Sequence, residues 1–125
     1  MFKKSKVFSS FSVDDLQKAK RFYEEILGLE VSDNPMGLIE LNPDGGNRIL
    51  VYPKSNHLPA TFTVLNFVVK NIDASVDELM GKGVSFEQYT GQIQTDEKGI
   101  SRQNGGPSIA WFKDPAGNIF SLIEE

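Results

Sequence analysis

The chain states one pattern twice, and that repetition limits what it can fold into more than any other feature. The segment "SKVFSSFSVDDLQKAKRFYEEILGLEV" returns as "TVLNFVVKNIDASVDELMGKGVSF". Val69 answers Val13, Ile72 answers Leu16 and Leu79 answers Tyr23, each 56 positions on, while Gly83 answers Gly28 at 55 after one lost residue. A turn-and-strand phrase recurs as well. "ELNPDGGNRILVY" and "FKDPAGNIFSLIEE" align Asn42 with Asp114, Pro43 with Pro115, Gly45 with Gly117 and Leu50 with Ser121. Between helix and turn the offset grows from 55 to 72, so the second copy carries an insertion of about 17 residues. It falls within "EQYTGQIQTDEKGISRQNGG", a polar stretch rich in Gly and Gln at about 88–106 that reads as a long loop or an extended hairpin.

Each copy reads β-α-β-β-β. Residues 6–13, "KVFSSFSV", alternate as a strand, and "DDLQKAKRFYEEILG" follows with Leu16, Ala19, Phe22, Tyr23, Ile26 and Leu27 at helical spacing. Asp14 or Asp15 caps that helix and Gly28 ends it. "LEVSD", "GLIELNP" and "RILVYP" are short strands separated by Asn, Pro, Asp and Gly turn chemistry. One such copy buries only one face of a small sheet, so the two are expected to pair and share a core. With 125 residues, 39% of them hydrophobic, the chain supports one compact α+β domain over 1–125. Its module one spans about 5–53, its linker 54–61 and its module two 62–125.

Strand parity then sorts the side chains. The helix-facing set is Val7, Phe11 and Val13 in the first strand, Ile49 and Val51 in "RILVY", Leu65, Phe67 and Val69 in "VLNFVV", and Phe120 and Leu122 in "NIFSLIE". The opposite face carries Phe8, Ser10 and Ser12, then Arg48, Leu50 and Tyr52, then Val64, Asn66 and Val68, then Ile119, Ser121 and Ile123. An apolar surface with scattered Ser, Asn, Arg and Tyr suits a concave pocket for a small organic molecule better than a solvated surface.

Bulk properties exclude several functions. Zero cysteines rule out disulfides, thiolate metal sites and a cysteine nucleophile. A formal charge of −4 with acids and lysines interspersed argues against a nucleic-acid surface. No run of 18 apolar residues spans a membrane, and "MFKKSKVF" lacks the apolar stretch of a signal peptide, so a cytoplasmic protein is expected.

The phrases "FSVDDLQKAKRFYEEILGLEV", "FVVKNIDASVDELMGKGVSF" and above all "WFKDPAGNIFSLIEE" resemble the vicinal oxygen chelate superfamily, the group of glyoxalase I, bleomycin-resistance proteins, fosfomycin-resistance enzymes and extradiol dioxygenases. The resemblance covers most of the chain. It implies two βαβββ modules forming a cup-shaped mixed sheet with helices outside, assembled as a homodimer. In metal-dependent members a divalent cation sits in the cup on His, Gln or Glu from four positions related by the internal two-fold, and acts as a Lewis acid or oxygen-activating centre. Carried onto this sequence, the four positions are Phe8, Leu50, Val64 and Ser121. Phe, Leu and Val cannot ligate a cation, and a neutral Ser hydroxyl is a weak ligand for zinc, nickel or iron. No metal and no cofactor are expected.

Other candidates read as structural. His57, the only histidine, lies in "PKSNHLPATF" and reads as a solvent-exposed linker residue. Glu24 with Glu25 and Glu124 with Glu125 read as surface charges, because successive residues point apart. "NGGP" at 104–107 and "DGGN" at 44–47 read as turns, since neither sits between a strand and a helix as a phosphate loop does. Trp111 is either an aromatic wall for a ligand or a core residue between helix and sheet. Arg48 near the rim and Arg102 in the insertion are the two arginines placed to meet an anionic ligand. The expected ligand-binding set is Phe8, Ser10, Arg48, Leu50, Tyr52, Val64, Asn66, Trp111 and Ser121.

Three functions fit this reading: a metal-independent protein that binds a small organic molecule, an enzyme (lyase, isomerase or dioxygenase) whose metal was lost or moved, and a structural or partner-binding module whose cup is filled by its own side chains. The sequence leaves catalysis open.

Overall fold

The structure, a computed structural model, describes residues 1–102 and 105–125. Its chain divides into two compact units, Met1–Leu58 and Pro59–Glu125. Each unit is built in the order the sequence predicts.

In the first unit the strands are β1 (Ser9–Val13), β2 (Val31–Asn34), β3 (Leu38–Leu41) and β4 (Ile49–Pro53), ordered β1-β4-β3-β2 in one sheet. β1 runs parallel to β4, and the other two pairs are antiparallel. Helix α1 (Leu16–Arg21) packs on β3 and β4. Phe11, Val13, Ala19, Tyr23, Ile39, Leu41 and Val51 are buried, so the helix-facing parity assigned to Phe11, Val13 and Val51 is the core face. Val7 departs from that parity: it precedes β1, which starts at Ser9, and is 71% exposed. A residue outside the ladder is not held to the strand's alternation.

The second unit repeats this plan with β5 (Thr63–Val69), α2 (Ile72–Gly81), β6 (Ile100–Arg102), β7 (Ser108–Lys113) and β8 (Ile119–Glu124), ordered β5-β8-β7-β6. β5 is parallel to β8 and the rest are antiparallel. α2 packs on β7 and β8 over Ile72, Val76, Leu79, Ala110, Phe112, Phe120 and Leu122, all buried. Phe112 and Phe120 meet edge to face at 5.8 Å between centroids, and Phe86 adds a second such contact to Phe112 at 5.6 Å.

The two helices start alike and end differently. Asp15 caps α1 by accepting from the Lys18 amide, and Asn71, 56 positions on, caps α2 by accepting from the Ala74 amide. Asp15, and not Asp14, is therefore the cap. The expected first helix is not α-helical throughout. After Arg21 it widens into a π turn over Phe22–Ile26, closed by the Leu27 amide donating to the Phe22 carbonyl at 3.1 Å. A π turn takes up one residue more than an α turn. That is the residue the second copy lacks. Past it, the Leu29 amide bonds the Tyr23 carbonyl across six positions, while its counterpart, the Val84 amide, bonds the Leu79 carbonyl across five.

The insertion holds β6, which extends the second sheet by pairing with β7. Of the "NGGP" phrase, Asn104 lies outside the described residues. The "DPAGN" phrase is a closed turn: Asp114 is buried, its Oδ1 accepts from the amides of Ala116 at 3.0 Å and Asn118 at 2.8 Å, and Gly117 takes a φ of +85°. Asn118 Oδ1 accepts from the Ala60 amide at 3.3 Å, tying the start of the unit to its last turn.

Candidate functional site

Each sheet has one face under its helix and one opposite, called here the open face. Strand register fixes which side chains share it. Ser10 pairs with Leu50 in the first sheet and Asn66 pairs with Ser121 in the second. These two pairs are repeat mates, 56 positions apart on one strand and 71 on the other, so the alignment of Leu50 with Ser121 is also a structural equivalence.

Just before β1 Phe8 is 46% exposed, and on the open face of the first sheet Ser10 and Tyr52 are exposed and Leu50 is half-buried. The Arg48 guanidinium lies 4.3 Å above the Phe8 ring, close enough for attraction to the ring's negative face. Glu40, on β3 directly opposite Leu50, brings Oε1 within 3.6 Å of Arg48 and takes a 2.9 Å hydrogen bond on Oε2 from the Asn34 amide group. Glu40 was not among the expected site residues. The repeat contains the signal for it, because Glu40 holds in the first sheet the place that Trp111 holds in the second.

His57 corrects an expectation. It is half-buried, and its Nδ1 lies 2.7 Å from the hydroxyl of Ser12, on the open face beside Tyr52. The two residues are 45 positions apart, and only the return of the linker along β1 brings them together. Glu124 corrects another: its Oε2 accepts from the Ile72 amide at 2.9 Å, so it serves the N-terminus of α2. Glu24, Glu25 and Glu125 are exposed, as expected.

On the open face of the second sheet Ser121 is fully buried and donates its hydroxyl to Asn66 Oδ1. Trp111 stands opposite Ser121 on β7. Its neighbours Ala110 and Phe112 point into the core, so Trp111 is on the open face and not between helix and sheet. It is half-buried and meets Tyr89 edge to face at 5.4 Å. Burial, with the nearby Glu87 carboxylate adding to it, pushes the Tyr89 phenol above its ordinary value of 10.0. Val64 is half-buried and Asn66 exposed.

The four positions where the resemblance implies a metal therefore do not fit one. Three offer only carbon, and the fourth has its hydroxyl committed to Asn66. Among the described residues, no three His, Cys, Asp or Glu side chains are grouped to hold a metal ion. Arg102, the second candidate for an anionic ligand, pairs instead with Asp73 at 2.7 Å and Asp96 at 3.2 Å. Among the described residues, no helix is long and apolar enough to cross a membrane.

Comparison with known proteins agrees with this architecture. The family model described as Glyoxalase/Bleomycin resistance protein/Dioxygenase superfamily matches residues 8–122. Uncharacterized protein YetH of Bacillus subtilis (strain 168) is 32% identical over 123 residues, covering 90% of this chain and 91% of its own. Among solved structures, a putative glyoxalase family protein from Bacillus anthracis superposes with a TM-score of 0.73 at 20% identity, covering 100% of this chain and 99% of that one. TnmS3, an antibiotic binding protein from Streptomyces sp. CB03234, does so at 0.70 and 23% identity, covering 97% of each chain. At these identities the structural likeness is one of fold.

Proposed function

Because the chain belongs to the glyoxalase/bleomycin resistance protein/dioxygenase superfamily, we propose that it uses the open faces of its sheets to bind a small, partly apolar organic molecule without a metal ion. The observation that carries this reading is the state of Ser121: where the resemblance implies a metal ligand, a buried hydroxyl is spent on Asn66. Phe8, Leu50 and Val64 at the other three positions supply contact area instead of coordination. Tyr52 and Val68 on the open faces, and Phe8 just before β1, are exposed, which favours a surface that receives a ligand over one filled by its own side chains. The shared fold of the antibiotic binding protein TnmS3 supports binding as a function of this architecture.

Ser10 and Tyr52 on the first sheet, and Asn66 and Trp111 on the second, each give their own open face a few hydrogen-bonding groups, with one flat ring on the second. The resemblance favours a homodimer. Thermal-shift screening of small molecules tests the proposal, because a ligand that binds only the folded state raises Tm. Trp111 is the single tryptophan, so its fluorescence reports on the open face of the second sheet. Partly apolar compounds are expected to raise Tm and change that emission equally with and without a chelator. Stoichiometric zinc, nickel, iron or manganese in purified protein, together with turnover, would overturn the reading.

A further inference from the structure

We propose that the first unit carries an anion subsite, centred on Arg48, that selects ligands in which a flat apolar group bears one carboxylate or phosphate. This deepens the binding reading above and rests on it. The subsite is a concavity of about 550 Å³ lined by Ser5, Lys6, Val7, Phe8, Asn47 and Arg48. Its lining contains two cations and no acid. Among the described residues Lys6 forms no ion pair, and the nitrogens of Arg48 form no hydrogen bond.

Arg48 is nonetheless held in place. The Phe8 ring supports one face of the guanidinium at 4.3 Å, and Glu40 attracts it from 3.6 Å, a separation too long for a hydrogen bond. Glu40 is itself oriented by Asn34. A guanidinium fixed by stacking and by a long-range charge, with its donors unspent, is prepared for a two-point contact with an oxyanion. Lys6 adds a second positive charge without a fixed geometry. Asn47, whose amide donates to the Val7 carbonyl at 3.2 Å, fastens the N-terminal segment to the start of β4 and so keeps the concavity's two walls together. The exposed part of Phe8 and the side chain of Val7 supply the apolar contact for the rest of the ligand. One carboxylate, Glu40, stands beside Arg48, and Lys6 lines the concavity without an acid of its own. That leaves net positive charge for the guest's anionic group and sets Glu40 as its competitor for Arg48.

Isothermal titration with benzoate, phenyl phosphate and the neutral control benzyl alcohol tests the proposal on the full chain. Both anions are expected to bind more tightly than benzyl alcohol, and added salt is expected to weaken them alone. Arg48→Gln should weaken both anions about tenfold or more and Lys6→Gln about threefold, each by a larger factor than it weakens benzyl alcohol. Glu40→Gln should strengthen the anions, a change that mere disruption of the site would not produce. Equal binding of anions by wild type and Arg48→Gln, or neutral ligands binding as tightly as anions, would overturn the anion subsite while leaving the general binding reading standing. If the broad screen finds no ligand of any charge, both fall.

Discussion

At the scale of single residues, the most family-specific phrase in the chain turns out to be about the backbone. Asp114 in "DPAGN" looks like a candidate acid, yet it is buried and its Oδ1 accepts the amides of Ala116 and Asn118 while Oδ2 accepts from the Asn118 side chain at 3.2 Å. Asn42, its repeat mate, does different work: its side chain donates to Ser32 Oγ at 2.9 Å and to the Glu40 carbonyl. Removing the Asp114 carboxylate would leave buried N–H groups without acceptors. Asp114→Ala is therefore expected to destabilise the protein by about 3 kcal/mol, and Asp114→Asn, which keeps one acceptor, by clearly less. Urea unfolding monitored by circular dichroism measures both, and equal losses for the two variants would contradict this account of the turn. Leu50, Ser121 and Tyr52 lie opposite the helix, on the face that strand parity assigns them. Val7 lies before β1 and escapes that parity, while Glu124 and His57 owe their partners to contacts made over 52 and 45 positions. Periodicity carries no information about such contacts.

At the scale of elements, the repeat made the strand and helix order legible, and even the single lost residue had a structural meaning in the π turn. The insertion was legible only as a long loop or hairpin; that part of it forms β6, in the place β2 holds in the first sheet, was not. Charge holds it against α2. Lys98 reaches Asp73 at 3.2 Å and Asp77 at 2.9 Å, while Arg102 joins Asp73 to Asp96. Hydrogen bonds from Arg102 and then Lys98 hold the Asp73 carboxyl below its ordinary 3.8. Burial pushes Asp96 up, but the amides of Ile100 and Lys98 and the Arg102 side chain outweigh it and leave it lowered as well. A carboxylate with a lowered folded-state pKa stabilises the fold above its unfolded value and loses that contribution as pH falls through the folded one. The protection of the Gly99 and Ile100 amides against hydrogen exchange, relative to their intrinsic rates at each pH, should thus fall below pH 3.8, and a carboxyl NMR titration of Asp73 should give a midpoint under 3.8. A midpoint at or above that value would contradict the clamp. Lys98 moves the other way, raised from 10.5 by Asp77 despite a smaller opposing effect of burial. Its contribution is present below 10.5 and fades only as pH climbs through the higher folded value. The backbone of the insertion is constrained too. Gly99 has a φ of +83°, and a Cβ there would stand 2.7 Å from the Cβ of Phe86 and 3.0 Å from the Glu87 carbonyl oxygen. Gly99→Ala is expected to cost about 1–3 kcal/mol, read as a lowered urea midpoint, and an unchanged midpoint would mean that the insertion tolerates displacement at no cost.

At the scale of the whole molecule, composition and repeat together indicated an α+β chain of two tandem modules, and both units have that plan. What composition says about behaviour in solution is separate from what it says about fold. The chain carries a formal charge of −4 at pH 7 and a pI near 5.0, yet its first seven residues hold Lys3, Lys4 and Lys6 and no acid. Its charge is therefore uneven as well as small. Near pH 5.0 the net repulsion between molecules vanishes while basic and acidic surfaces remain to attract one another, so association is expected to peak there. The Asp73 clamp, however, begins to weaken only below pH 3.8. Acidification should accordingly produce two separate events. The first is a rise in light scattering centred near pH 5.0, suppressed by salt and reversed on returning to pH 7, with far-ultraviolet circular dichroism unchanged. The second, below pH 3.8, is a loss of protection confined at first to the insertion, and it proceeds even in dilute samples that do not scatter. If ellipticity fell in step with the scattering near pH 5.0, unfolding would be the cause of association, and this separation of surface charge from fold stability would be wrong.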